Sequence, residues 1–234
     1  MLFVKHAPDT LTYTMQTIQR QWTADEIPVL QAALSVPQSA GDRPGRTARR
    51  LSRYYRQCAE AFLRYCGREL YPRALAEFEG ARHAGAPLPC ARAALECTVA
   101  CNERGVFSTY LDCTEWAGTK DALTLRRADT WDLRTGAPIS AGECFPRGVS
   151  VRRVCLQAAR AQCAGKGGAA GRCAGQKPAR LRRHLNLRNF YLTPEGFCFF
   201  YQPYAISLSG TLCPAFTIPF SEGKNGPFWP LSAT

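Results

Sequence analysis

The stretch from Asn189 to Tyr204 constrains this fold more than any other, because it reads as a strand, a tight turn and a second strand. Phe190 and Leu192 alternate with Tyr191 and Thr193, the period of a pleated strand. Pro194-Glu195-Gly196 offers a fixed φ and then a residue free to take φ > 0, as tight turns need. Phe197 to Tyr201 is apolar or aromatic on both faces, which predicts a strand buried on both sides. Phe216-Thr217-Ile218-Pro219-Phe220 closes the pattern.

The rest of the chain supplies partners for that hairpin. Thr10–Ile18 and Val29–Val36 read as strands, with a polar turn at Asp25 between them and Pro37 ending the second. Thr47 is a candidate N-cap for a long helix over 48–82. Leu51, Tyr54, Tyr55, Cys58, Phe62 and Tyr65 recur at helical spacing on its buried face. Arg49, Arg50, Arg53, Arg56, Glu60 and Arg64 take the other face, and Pro72 bends the helix or restarts it. Ala93–Cys101 and Val106–Trp116 flank Asn102-Glu103-Arg104-Gly105 as a hairpin, and Leu123–Asp132 is a further strand. Val149–Cys163 is a second, shorter helix, and Pro178–Leu187 a short basic one. The predicted class is α+β: an antiparallel sheet of hairpins packed against one long and one shorter helix.

Several of these phrases resemble a bacterial domain family that has no enzymatic name. It includes the extracellular lysozyme-sensing domain of the anti-sigma factor RsiV and accessory domains of peptidoglycan deacetylases. The end motif from Phe190 to Tyr204 with Phe216–Phe220 carries the resemblance most specifically. Asp129-Thr130-Trp131-Asp132-Leu133-Arg134-Thr135-Gly136, the helix phrase Leu51-Ser52-Arg53-Tyr54-Tyr55 and Pro37-Gln38 support it in the same order. Two loops depart from the family pattern. Trp116-Ala117-Gly118-Thr119-Lys120-Asp121 stands where a Gly-Gly-Ala-His-like turn is usual, and Ile206-Ser207-Leu208-Ser209-Gly210 replaces the family's Ile-Ala-Pro-Tyr-Ala run. The resemblance implies one sensor-like domain over 1–222, with a flexible Gly/Ala-rich insert at 164–178 and a tail at 223–234. It also implies a non-catalytic binding or sensing module without catalytic residues or cofactor.

The chain carries a formal charge of +12, unevenly spread. Ala94–Glu143 holds eight acids against five bases, whereas Cys144–Pro194 holds eleven bases and no acid. Arg152, Arg153, Arg180, Arg182, Arg183 and Arg188 are therefore candidate contacts for an anionic partner, the alternative being a solvated basic face. The same charge argues against a basic lysozyme as ligand, since like potentials oppose association. No run reaches the ~18 apolar residues of a membrane helix. The N-terminal residues lack a secretion signal, which implies the cytoplasm, or the cell envelope if a leader has been removed.

The twelve cysteines fall mostly in apolar patterns, where a thiol acts as a small hydrophobe, so mostly reduced, buried cysteines are expected. His6, His83 and His184 lie far apart and no Cys-x-x-Cys occurs, so no metal site is expected. Gly165–Gly171 lacks the spacing of a phosphate loop and reads as a linker. Asp129 and Asp132 read as turn caps rather than acid–base groups. Trp116 and Trp131 fit core packing, or a surface that stacks on sugars or bases. A small hydrolase of unfamiliar type and a basic nucleic-acid-associated protein remain as alternatives.

Overall fold

The computed structural model describes residues 9–41, 44–116, 122–164, 178–203, 205–206, 213–221 and 226–230. Five strands form one sheet in the order β1 (Tyr13–Ala24), β2 (Ile27–Ser39), β3 (Ala91–Glu103), β4 (Val106–Trp116), β5 (Leu123–Asp132). A second sheet holds β6 (Phe190–Thr193), β7 (Gly196–Phe200) and β8 (Ala215–Pro219). With the helices this is the α+β architecture that the sequence pattern implies. The chain divides into two compact units. One, here the helical unit, takes Thr12–Cys97 and Leu111–Leu125; the other, the aromatic unit, takes Met1–Leu11, Thr98–Tyr110 and Arg126–Thr234. Strands β3, β4 and β5 each run from one unit into the other. The altered loop at 117–121 and all but the ends of the Gly/Ala-rich insert lie outside the described residues.

In the helical unit, β1 and β2 form a long antiparallel hairpin closed by Asp25 and Glu26, both at positive φ (47° and 65°). The connection from β2 to β3 is helical: α1 (Arg46–Tyr65), a π-helical turn (Cys66–Leu70) and α2 (Tyr71–His83). A helical crossover returns the chain in the direction it left, so β2 and β3 pair in parallel, Leu30 opposite Ala91 and Ser35 opposite Glu96. The sheet is thus antiparallel with one parallel pair. Pro72 sits in the first turn of α2, where its missing N–H removes one helical hydrogen bond, and the wider π turn lies just before it. The helix starts at Arg46, with Gly45 rather than Thr47 at the N-cap. Leu51, Tyr55, Ala59 and Phe62 are buried, while Tyr65 is 37% exposed. Ser52 is also buried and ties the helix to the end of β2. Its hydroxyl donates to Ser39 Oγ (2.9 Å) and accepts from the Ser39 N–H (2.8 Å).

In the aromatic unit, Arg104 and Gly105 (φ 47° and 77°) make a two-residue turn between β3 and β4. Asn102 clamps the N-terminal segment, accepting from Leu11 N–H (2.7 Å) and donating to Leu11 C=O (2.9 Å). The predicted end hairpin is present, Phe190 opposite Phe199 and Thr193 opposite Gly196. Both faces of β7 are buried. Phe197 and Phe199 join a core with Phe190, Leu192, Tyr201, Phe216, and Cys155 and Ala159 of α3 (Val151–Ala164). Phe190 stacks on Phe197 (5.0 Å between ring centroids) and Phe199 on Phe216 (5.3 Å). Cys198 and Phe200 turn the other way, against Tyr191, Tyr110 and Ala128. Gly196 is required for a reason different from the turn dihedral. A Cβ there would lie 2.4 Å from the Ile218 carbonyl oxygen on β8, so β8 can pair closely only over a glycine.

Candidate functional site

The helical unit opens a cleft of about 590 Å³ between α2 and the sheet. That volume is within the range of small-ligand sites. Leu30, Leu70, Ala74 and Ala91 lie along it, and Leu123, 39% exposed on β5, stands at its rim. The chain places these groups through the break at Pro72: the π turn points Leu70 inward, and α2 then carries Arg73 and Ala74 to the same edge. The charged side is organised by Glu115 of β4. Tyr65 donates its hydroxyl to Glu115 Oε1 at 2.7 Å, and the largely exposed Arg73 pairs with Glu115 Oε2 at 3.4 Å. Arg92 lies over the Trp116 ring at 5.7 Å, and both residues border the cleft.

The ionisable groups around Glu115 are held away from neutral titration. Burial, the hydrogen bond to Glu115 and its charge push the Tyr65 phenol up to about 12. Burial first, then the charge of Glu115, push the Cys66 thiol up to about 12. Burial likewise raises Cys113 to about 11, helped by Asp112 and Glu115. A thiol in that range carries almost no thiolate at pH 7 and is a poor nucleophile. What the cleft offers instead is an apolar floor edged by Arg73 and Arg92 and by Glu77 and Glu115, with Glu115 paired to Arg73. That arrangement suits an apolar body bearing a polar end.

The six arginines singled out by the sequence all lie in the aromatic unit, on α3, on α4 (Pro178–His184) and just beyond it. Arg152 donates to the carbonyl oxygens of Arg182 and Leu185, so it holds the end of α4. Arg180 donates to Ala205 C=O at 2.8 Å. Arg153, Arg182, Arg183 and Arg188 are solvent-exposed. Asp132 caps its turn as expected, accepting from the Arg134 N–H (2.8 Å) and the Thr135 hydroxyl (3.1 Å). Trp131 is buried. Among the described residues, ten cysteines are outside any disulfide and Cys163 is disulfide-bonded. No group of three or more His, Cys, Asp or Glu among the described residues is placed to hold a metal. No helix among them is long and apolar enough to cross a membrane. Arg73, Arg92 and Glu115 escaped the sequence reading, since a charged residue on a helix surface or at a strand end carries no local mark of what it will meet.

Comparison with known proteins agrees with the architecture. The sequence matches no protein-family model and no curated protein. Among solved structures, the chain is similar to a DUF3298 family member, BF2082 from Bacteroides fragilis. The two share a TM-score of 0.69 at 13% identity over 95% of this chain and 96% of that one. It is also similar to the DUF3298 family protein PA4972 from Pseudomonas aeruginosa, with a TM-score of 0.59 at 14% identity over 90% and 91% of the two chains. The likeness is one of fold.

Proposed function

We propose that this chain is a non-catalytic binding or sensing module, of the kind that the RsiV sensor domain exemplifies, with a ligand other than a basic lysozyme. The observation that carries this reading is the cleft beside Glu115. Catalytic acids, bases and nucleophiles are tuned toward the working pH. Here Tyr65, Cys66 and Cys113 are tuned away from it, and Glu115 serves to hold Tyr65 and Arg73 in place. The apolar floor beside them supplies contact area, and Arg73 and Arg92, which share the rim with Glu77 and Glu115, can meet an anionic group on the ligand. The overall charge of +12 and the exposed Arg153, Arg182, Arg183 and Arg188 favour an acidic partner in the same sense.

The test uses 8-anilinonaphthalene-1-sulfonate, an apolar body with one sulfonate, together with an activated ester and a basic lysozyme. The dye should bind at one saturable site, and Leu123→Glu should weaken it by roughly tenfold. The lysozyme should give no binding heat at physiological ionic strength. Ester turnover that disappears in Cys66→Ala or Glu115→Gln would overturn the non-catalytic reading. Micromolar lysozyme binding would overturn the ligand assignment.

A further inference from the structure

The sheet of the helical unit has a second face, and its side-chain pattern is unusual. On β2 the residues Leu30, Ala32, Leu34 and Val36 are buried, so Gln31, Ala33 and Ser35 between them point the other way. Register extends this face sideways. Gln21, Gln31 and Arg92 stand in one row across β1, β2 and β3. Gln19, Ala33 and Ala94 form the next row, and Thr17, Ser35 and Glu96 the one after. The middle row is small on β2 and β3; the row on one side is long and polar throughout, and the row on the other carries Glu96 beside the shorter Thr17 and Ser35. The result is a trough with an alanine floor between walls of amide, guanidinium and carboxylate side chains. The walls are four residues apart along the strands, about 13 Å at strand rise. Trp116 bounds the hollow at the end of β4, beside Arg92, and the enclosed volume is about 540 Å³.

We infer that this trough is a binding site for a neutral glycan. Three observations select that class. Gln19, Gln21 and Gln31 bring three planar amides to the trough, Gln31 Nε2 donating to Gln21 Oε1 at 3.4 Å, and their remaining N–H and C=O groups complement vicinal hydroxyls, which also donate and accept. Trp116 supplies an aromatic wall against which the C–H face of a sugar ring packs. The charge within the trough balances, because Arg92 and Glu96 flank the alanine floor on opposite walls. Arg20 also borders it but pairs with Ala32, so its side chain stands on the other face of the sheet, where its guanidinium lies over Trp22 at 5.5 Å. A nucleic acid would require a surplus of positive charge along its backbone. A balanced trough lined by amides favours an uncharged polyhydroxylated chain. The trough shares Arg92 and Trp116 with the cleft, and its argument rests on the strand register and the amide side chains rather than on the reading of the cleft.

Cellohexaose, mannohexaose, maltohexaose and chitohexaose serve as probes, followed by tryptophan fluorescence and titration calorimetry on the full chain. At least one should bind with a Kd of about 1 mM or tighter. Ala33→Phe fills the floor from an exposed position, so it should lower that affinity by at least roughly tenfold and leave the melting temperature unchanged. Trp116→Ala should do the same and abolish the fluorescence response. An Arg56→Ala control on the exposed face of α1 should change nothing. Absence of binding by all four hexaoses, or binding that survives Ala33→Phe, overturns the proposal. So does a thymidine oligonucleotide that binds more tightly than any hexaose and is displaced by the same substitution. Ala33 lines only the trough and Leu123 only the cleft, so Ala33→Phe and Leu123→Glu, read against hexaose and dye, separate failure of one site from failure of the other.

Discussion

At the scale of single residues, two turns show how differently the same geometry is made. Arg104-Gly105 meets the left-handed requirement with a glycine at its second position, whereas Asp25-Glu26 meets it with none. Aspartate visits that region with some ease, but glutamate does so at about 1–2 kcal/mol. Glu26→Gly removes that strain while adding backbone entropy to the unfolded chain, a cost of roughly 0.5–1 kcal/mol. The substitution should therefore be neutral to stabilising by up to about 1 kcal/mol, read as a higher urea midpoint with an unchanged m-value. A clear loss of stability would mean that the Glu26 side chain makes a contact worth more than the strain it carries.

Among the elements, β7 is the one on which most packing converges. Phe199 faces the α3 core and Phe200 the opposite cluster, each 1% exposed or less. Phe199→Ala and Phe200→Ala should each cost about 3–5 kcal/mol in chemical denaturation. An unchanged midpoint for either would show that its face is not a core. This double burial was legible in the sequence because five consecutive apolar or aromatic residues leave no polar side for a strand to expose. The hairpins were legible for the same local reason, since turn residues announce themselves. The parallel pairing of β2 with β3 was not, because it is set by a helical crossover that separates the partners widely along the chain. Helical periodicity placed Tyr65 on the buried face, but at the last position of α1 it is 37% exposed and its hydroxyl reaches Glu115. The site was legible only where composition carried it. The arginine-rich segment stood out, yet Arg152 and Arg180 are engaged by backbone carbonyls, which no count of charges reveals.

For the molecule as a whole, the buried thiols set a ceiling on the pH range of stability. Burial raises Cys66, Cys144 and Cys155 to about 12, and Cys101 and Cys113 to about 11, from an ordinary value of 9.0. A raised thiol pKa means that the folded chain keeps a proton the unfolded chain gives up. Its contribution is complete below pH 9.0 and falls away as pH rises toward the folded values. Stability should be flat from pH 7 to 8 and decline from pH 9 through 11, and Cys155→Ala should make that decline shallower. A urea midpoint that stays constant to pH 11 would mean that the thiols are not protected. The path of the chain has a consequence of another kind. It passes between the units after residues 11, 97, 110 and 125, so no single cut in the reading frame separates one from the other. A protease that nicks the chain once therefore cannot release either unit as a continuous piece, and each unit must be completed by segments that are made at different times during synthesis.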